Sequence, residues 1–392
     1  MLRHILLVCS TLLLMFAITG CKNDSQTNSS SGAGNTATII EGNWYKRYTG
    51  TIAGQPVVVN MYCYTVDSNT YAGGTYYYIG KSELLGISVK NDPLLKNELH
   101  IKEWITSNHN DETPDSLVNT WAITIDGPNA TGKFTNGATK KMFDINLHED
   151  YTNASQLKMV YYSKNATLKE PRWTAGANAE YTGIEVEGDG NEAINNLLLH
   201  ALGDDSGNVK TLQSLPKFWV EKQLEHTTAL LDEVGKDSLE EEPMDDYHND
   251  LLVTPVYNDH NFLVVECMTS EYSGGAHSNH ASNFVTIDRQ EKKRIQLGDV
   301  LKVDSAMISG LLDIKARAVF HIQPNEKLDD NLLVAAVPAT DNFIITDKGL
   351  TFCYSPYEIA SYADGDVWLF IPYSQLKPLL LPAFTQRMGL KL

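Results

Sequence analysis

Short runs in which residues alternate with a period of two recur between Tyr48 and Tyr162, and they commit this part of the chain to strands. In residues 57–64, Val57, Val59, Met61 and Cys63 share one face while Val58, Asn60, Tyr62 and Tyr64 share the other. Similar runs follow at 74–79, 84–89, 99–105, 121–125, 131–134, 141–147 and 157–162, separated by clusters of Gly, Asn and Asp. Seven or eight such strands predict an all-β antiparallel meander over residues 39–170, closed into a barrel or sandwich because closure removes exposed edges. An eight-stranded barrel holds a small apolar ligand only where its own side chains leave room, so a carrier role is one alternative for this region.

The start of the chain has a different character. Arg3, an apolar run from Ile5 to Ile18 and then Ile18-Thr19-Gly20-Cys21 spell a lipoprotein signal over residues 1–21, with lipid expected on the Cys21 thiol. The run is shorter than the roughly 20 residues a membrane span requires. Residues 22–38, rich in Ser, Asn, Thr and Gly, carry no apolar period and predict a flexible tether. The expected location is the cell envelope, bound to the membrane through Cys21. Lys22 after the cysteine favours the outer membrane in a Gram-negative cell, because inner-membrane retention is marked by Asp there.

Beyond Trp173 the period lengthens. Ile194, Leu197, Leu198 and Leu202 form one helical stripe; Pro216 opens a second helix in which Val220, Leu224, Leu231 and Val234 repeat it. After an acidic loop at 240–246, strands are expected at 251–257, 261–270 and 282–288. A third helix follows Asp304 and Ser305, with Ile308, Leu311, Leu312 and Val319 turned inward, and strands at 343–346, 350–354 and 367–371 precede a short helix near 374–379. Strands and helices mix without regular alternation, so residues 176–392 predict an α+β domain.

Charge and chemistry narrow the function. The chain has 31 Lys and Arg against 49 Asp and Glu, a net charge of −18 that argues against nucleic acid as a partner and suits a basic one. Cys63, Cys267 and Cys353 lie in apolar strand-like surroundings; no disulfide framework follows, and a Cys267–Cys353 bridge is the one pairing considered. His277 and His280 lack the spacing of a metal-ligand motif, and the Gly274-Gly275 pair beside them predicts a turn with positive φ in which His277 bonds nearby backbone. An envelope hydrolase or metalloprotein built on His277 and His280 is therefore a second alternative to binding. Ser273 lacks the Gly-x-Ser-x-Gly elbow, and the carboxylate pairs Asp245/Asp246 and Asp364/Asp366 sit in loops, so no catalytic residue, metal or cofactor is assigned. Tyr354, Tyr357, Tyr362 and Tyr373 cluster near Glu358, either as a binding patch or as packing.

Two resemblances add to this. The stretches Tyr48-Thr49-Gly50, Gly74-Thr75-Tyr76-Tyr77-Tyr78, Leu85-Gly86 and Thr131-Gly132-Lys133-Phe134 are similar to a β-domain pattern of bacterial lipoproteins. Glu271-Tyr272-Ser273-Gly274-Gly275-Ala276-His277, then Ile295-Gln296-Leu297-Gly298-Asp299-Val300-Leu301, then Phe352-Cys353-Tyr354-Ser355-Pro356-Tyr357-Glu358-Ile359-Ala360 and Ile371-Pro372-Tyr373 resemble the RsiV-type C-terminal domain of unknown function, over about 178–380. That resemblance implies an extracytoplasmic α+β domain, which in its best-known member belongs to an anti-sigma factor that binds lysozyme directly. In other proteins the domain accompanies a peptidoglycan deacetylase, whose catalytic domain has no counterpart in this chain. A sigma-binding segment is also lacking, so sigma-factor control is not implied. The expectation is a non-catalytic envelope protein that binds a cell-wall-related protein or glycan, lysozyme among them, through Tyr272, His277, Tyr354, Tyr357 and Glu358.

Overall fold

A computed structural model describes residues 42–391 apart from 67–68, 82, 91–97, 106–113, 115, 170–173, 189, 204–206, 237–245 and 303. The signal, Cys21, the tether and nearly all of the acidic loop lie outside the described residues. The first eight strands, β1 (Trp44–Ile52), β2 (Gln55–Val66), β3 (Asn69–Tyr78), β4 (Leu85–Lys90), β5 (Leu99–Ile105), β6 (Thr120–Asp126), β7 (Asn129–Thr135) and β8 (Met142–Glu149), form a closed antiparallel barrel. Closure comes from β1 pairing with β8, Tyr48 opposite Glu149 through Ile52 opposite Ile145. The two faces of β2 divide as their alternation predicts. Val57, Val59 and Met61 enter the barrel core with Tyr48, Tyr76, Trp121 and Phe134, whereas Val58, Asn60 and Tyr62 face out. Tyr76 meets Trp121 edge to face at 4.9 Å, and Trp121 Nε1 donates to Glu103 Oε1 at 2.6 Å, so the interior is occupied by the barrel's own side chains.

The run at 157–162 does not belong to this barrel. It is the start of β9 (Leu157–Lys169), which pairs along its length with β10 (Thr174–Val186) in a second sheet. Once β1 has paired with β8 the barrel offers no free edge, and Leu157 and Met159 pack into the next core instead. That sheet runs β14-β13-β12-β11-β10-β9, with β11 (Tyr247–Asp259), β12 (Phe262–Tyr272), β13 (Asn279–Asp288) and β14 (Lys293–Ile295). Its one parallel pair, β10 with β11, is bridged by α1 (Glu192–Leu202) and α2 (Leu215–Lys236), the two helices expected from the sequence. The buried Ala175, Ala177 and Ala179 of β10 let α2 approach the sheet closely.

The remaining elements are α3 (Leu297–Val300), α4 (Ser305–Val319), β15 (Phe343–Ile345), β16 (Gly349–Tyr354), β17 (Val367–Pro372), α5 (Tyr373–Leu376) and α6 (Pro382–Arg387). Asp304 caps α4 by accepting from the Met307 N–H at 3.1 Å, and Ile308 and Leu312 are fully buried. The three-stranded sheet β15-β16-β17 shares a core with Phe262, Val264 and Phe284 of the larger sheet. Val58, Tyr77 and Leu84 from outside the barrel join the same core. The architecture is therefore an all-antiparallel barrel followed by an α+β region. All three described cysteines are buried and free. Cys267 packs on the helix side of the larger sheet and Cys353 in the core on its other side, which removes the Cys267–Cys353 bridge. No helix among the described residues is long and apolar enough to cross a membrane.

Candidate binding surface

Tyr362 is the hub at which two separate sequence motifs meet. The β12–β13 hairpin turns through Gly274 and Gly275 at φ 100° and 99°, the positive values its sequence predicts. This turn carries His277 onto the Tyr362 ring, stacked at 3.9 Å with 19° between planes. The Tyr362 hydroxyl donates to Ser278 O at 2.6 Å, and His277 Nδ1 donates to the same carbonyl at 2.9 Å. His280 meets the Tyr362 ring from another side at 5.7 Å, and its Nε2 lies 3.6 Å from Asp366 Oδ2. Tyr362 was visible in the sequence only as one of the clustered tyrosines; nothing local marked it as the point of contact with a hairpin 84 residues away.

The second motif is the turn 355–358. Glu358 N–H donates to Ser355 O at 3.1 Å, with Pro356 and Tyr357 between them. Tyr357 adopts φ 72°, the value a type II turn demands at its second central position and one that usually selects Gly. Its ring is 58% exposed and lies 5.9 Å from Tyr362. Glu358 is exposed and accepts from the Ser355 N–H at 2.7 Å. Tyr357, Tyr362 and His277 thus form a continuous aromatic step, flanked by Glu358 and Asp366.

Tyr272 and Tyr354 sit behind this surface. Tyr272 is buried, stacks with His248 at 5.8 Å and donates to Gly275 O at 3.1 Å, bracing the hairpin. Tyr354 is buried and donates to Pro338 O at 2.6 Å; burial pushes its phenol well above the usual range. Tyr373 is buried at a distance from the cluster and donates to Thr346 O at 2.9 Å. Beneath the step, Glu266 accepts from Ser282 Oγ at 2.8 Å, and burial raises its carboxyl to about 7, with Asp366 adding to the rise.

The step presents two tyrosine rings and an imidazole, with the carboxylates of Glu358 and Asp366 beside them. The two histidines address Tyr362 on different sides, and among the described residues no group of three or more His, Cys, Asp or Glu is placed to hold a metal. Ser278 Oγ lies 3.4 Å from His248 Nε2, but no carboxylate is hydrogen-bonded behind that ring among the described residues, so the serine lacks an oriented base. Burial raises the Cys63 thiol to about 11 and the Cys267 thiol to about 12, which keeps both protonated and unreactive.

Residues 298–374 match the model of a family described as a protein of unknown function, DUF3298. The Tyr357 turn, Tyr362 and Asp366 fall inside that match; the His277 hairpin falls before it. A member of the DUF3298 family from Bacteroides fragilis NCTC 9343 is similar in structure, with TM-score 0.50 and 20% identity over 61% of this chain and 100% of that one. A DUF3298 family protein from Pseudomonas aeruginosa PAO1 gives TM-score 0.42 and 15% identity over 59% and 98%. No curated protein matches the chain. At this identity the Bacteroides structure speaks to fold alone; it is the match over residues 298–374 that identifies a DUF3298 domain in the C-terminal part of the chain.

Proposed function

We propose that the protein is a non-catalytic binding protein of the cell envelope, held to the membrane by lipid on Cys21, and that its ligand is a basic cell-wall-related protein such as lysozyme. The observation that carries the reading is Tyr357. A large aromatic ring is held out to solvent at a backbone position that favours Gly, where the left-handed conformation costs an L-residue about 1–2 kcal/mol. Strain of that kind persists where the side chain is needed, and tyrosine suits an interface because it offers large contact area at little entropic cost. His277 and Tyr362 extend the platform, Tyr272 and Tyr354 support it, and Glu358 and Asp366 supply negative charge beside it. The net charge of −18 favours steering of a basic partner, and the RsiV-type resemblance of the hairpin and turn motifs points the same way. A small-ligand carrier role receives no support from a barrel filled by its own side chains.

Calorimetric titration of the purified protein with lysozyme, at low and at moderate salt, tests this. Saturable heat that survives moderate salt is expected, weakened by about 2 kcal/mol in Tyr357→Ala as for an interface hot spot. Absence of heat, or heat abolished by moderate salt, rejects lysozyme as the ligand.

A further inference from the structure

The end of the barrel opposite Trp44 carries an apolar rim. Strand register brings the β1–β2 turn, the β3–β4 turn, the end of β5, the residues before β6 and the β7–β8 hairpin to this end. Of the ten large apolar side chains exposed among the described residues, five lie here, Ile79, Trp104, Leu117, Met142 and Phe143, a concentration that singly scattered surface residues do not give. Ile79 and Trp104 lie toward the α+β region, where the Gly80 N–H donates to Asp347 Oδ2 at 2.7 Å and Trp104 meets Trp368 edge to face at 6.5 Å. Leu117, Met142 and Phe143 belong to the hairpin side, and ordered turns hold them out. Asn136 Oδ1 accepts from the Thr139 N–H at 2.8 Å, and the Asn136 N–H donates to Lys141 O at 2.9 Å. The Leu117 turn is seated against this hairpin: the Gly137 N–H donates to Asn119 Oδ1 at 2.8 Å, and Lys140 Nζ donates to Ser116 O. On β8, Phe143 shares the inward face with Ile145 and meets Phe134 at 6.2 Å, whereas Met142, 63% exposed, faces outward with Asp144. Apolar side chains thus clothe both sides of one tip. Lys140 and Lys141 precede them, and neither has a carboxylate within salt-bridge distance among the described residues.

We propose that this tip, with Leu117, Met142 and Phe143, docks on the phospholipid surface of the membrane that holds the chain. The proposal rests on the anchored envelope location proposed above and is separate from lysozyme recognition at Tyr357. Three side chains are too few for a stable protein interface, which buries about 800 Å² on each partner, whereas partial insertion at a lipid surface needs only a few apolar side chains with basic neighbours. Lys140 and Lys141 suit anionic headgroups, and their stems can lie along the same apolar rim. The net charge of −18 opposes adsorption by the rest of the surface, so docking depends on this tip. Residues 22–43 separate the expected lipid on Cys21 from β1. A chain of that length spans about 25 Å as a coil and about 70 Å extended, against about 30 Å for the length of a strand such as β1. The anchor therefore holds either end of the barrel within reach of the bilayer, and docking becomes an intramolecular event at high effective concentration.

The test is hydrogen–deuterium exchange of the full chain coupled through Cys9 or Cys21 to maleimide-bearing vesicles of phosphatidylethanolamine and phosphatidylglycerol, compared with the uncoupled chain without vesicles. Cys63, Cys267 and Cys353 are buried and stay out of the coupling. Chemical coupling supplies the anchor whether or not the cell attaches lipid, so failure here is distinct from failure of the location reading. Slower exchange at residues 116–119 and 136–143, with the aromatic step unchanged, is expected. Leu117→Ser/Met142→Ser should lose about tenfold or more of that protection, and Met142→Ser alone a part of it. Both side chains are exposed, and an unchanged urea midpoint shows that the variants are folded. Protection confined to other segments, no protection at all, or equal protection in the double variant overturns the proposal, whatever lysozyme does. Protection of the same residues on raising the protein concentration without vesicles identifies a second copy as the occupant and overturns it too.

Discussion

At the scale of single residues, stability and recognition pull against each other at Tyr357. Tyr357→Gly removes the left-handed penalty and leaves the Tyr357 N–H to Ala360 O bond, 2.9 Å long, in place. The variant is expected to unfold at a higher urea midpoint, by roughly 1 kcal/mol, while binding lysozyme more weakly; a loss of stability would show that the ring packs the fold instead. Glu266 gives a pH signature. Because its folded pKa is raised from 4.5 to about 7, the folded protein holds a proton that the unfolded chain has released between those values. The contribution of this group therefore falls as pH rises through that window, by roughly 3 kcal/mol in all. Urea unfolding at about pH 5 and about pH 8 should show this loss in the parent and not in Glu266→Gln. The Gly274-Gly275 turn was legible from sequence because two glycines advertise positive φ. The same φ at Tyr357 was not, because a tyrosine after Pro356 carries no such signal.

Elements were legible where side chains alternate strongly. Barrel strands β2 to β8 and the helices α1, α2 and α4 follow from period alone, whereas β1 was not among the runs read by period, and β10 was missed because Ala, Gly and Asn dominate its first half and have low strand propensity. Its buried alanines are an adaptation to α2 packing above, a cause that lies in tertiary structure. Assignment of β9 to the meander failed for a related reason: alternation identifies a strand but not the sheet it joins. Within the barrel, Gly132 has an ordinary backbone, yet a Cβ there would lie 1.9 Å from Ala122 O on the neighbouring strand. Gly132→Ala should force β6 and β7 apart and cost roughly 2–4 kcal/mol by urea unfolding; a cost within 0.5 kcal/mol would mean that the pairing is looser than described.

At the scale of the whole molecule, the barrel and the α+β region are joined by buried polar contacts as well as by shared apolar core. Arg47, only 2% exposed, donates to Asn258 O at 2.8 Å and Asp150 O at 2.6 Å, and lies 3.1 Å from Asp259. Asn258 donates to Tyr45 Oη at 2.9 Å and to Ser155 O at 2.8 Å, while Thr75 Oγ donates to Val256 O at 2.5 Å. Removing the guanidinium in Arg47→Ala takes the cation from beside Asp259, which keeps its bonds from Tyr77 Oη and the His260 N–H, and removes the side-chain donor to the Asn258 and Asp150 carbonyls. It should cost about 3–5 kcal/mol and separate one calorimetric unfolding transition into two. The sequence showed two differently patterned regions but not this junction, whose partners lie as far apart as residues 47 and 258. The central claim is that recognition occurs at the aromatic step where the 272–279 hairpin meets the 355–364 segment. Hydrogen–deuterium exchange of the protein with and without lysozyme tests it most directly. Protection concentrated at residues 273–280 and 355–364 is the predicted result; protection confined to the barrel or the α1–α2 face, or none at all, would contradict it.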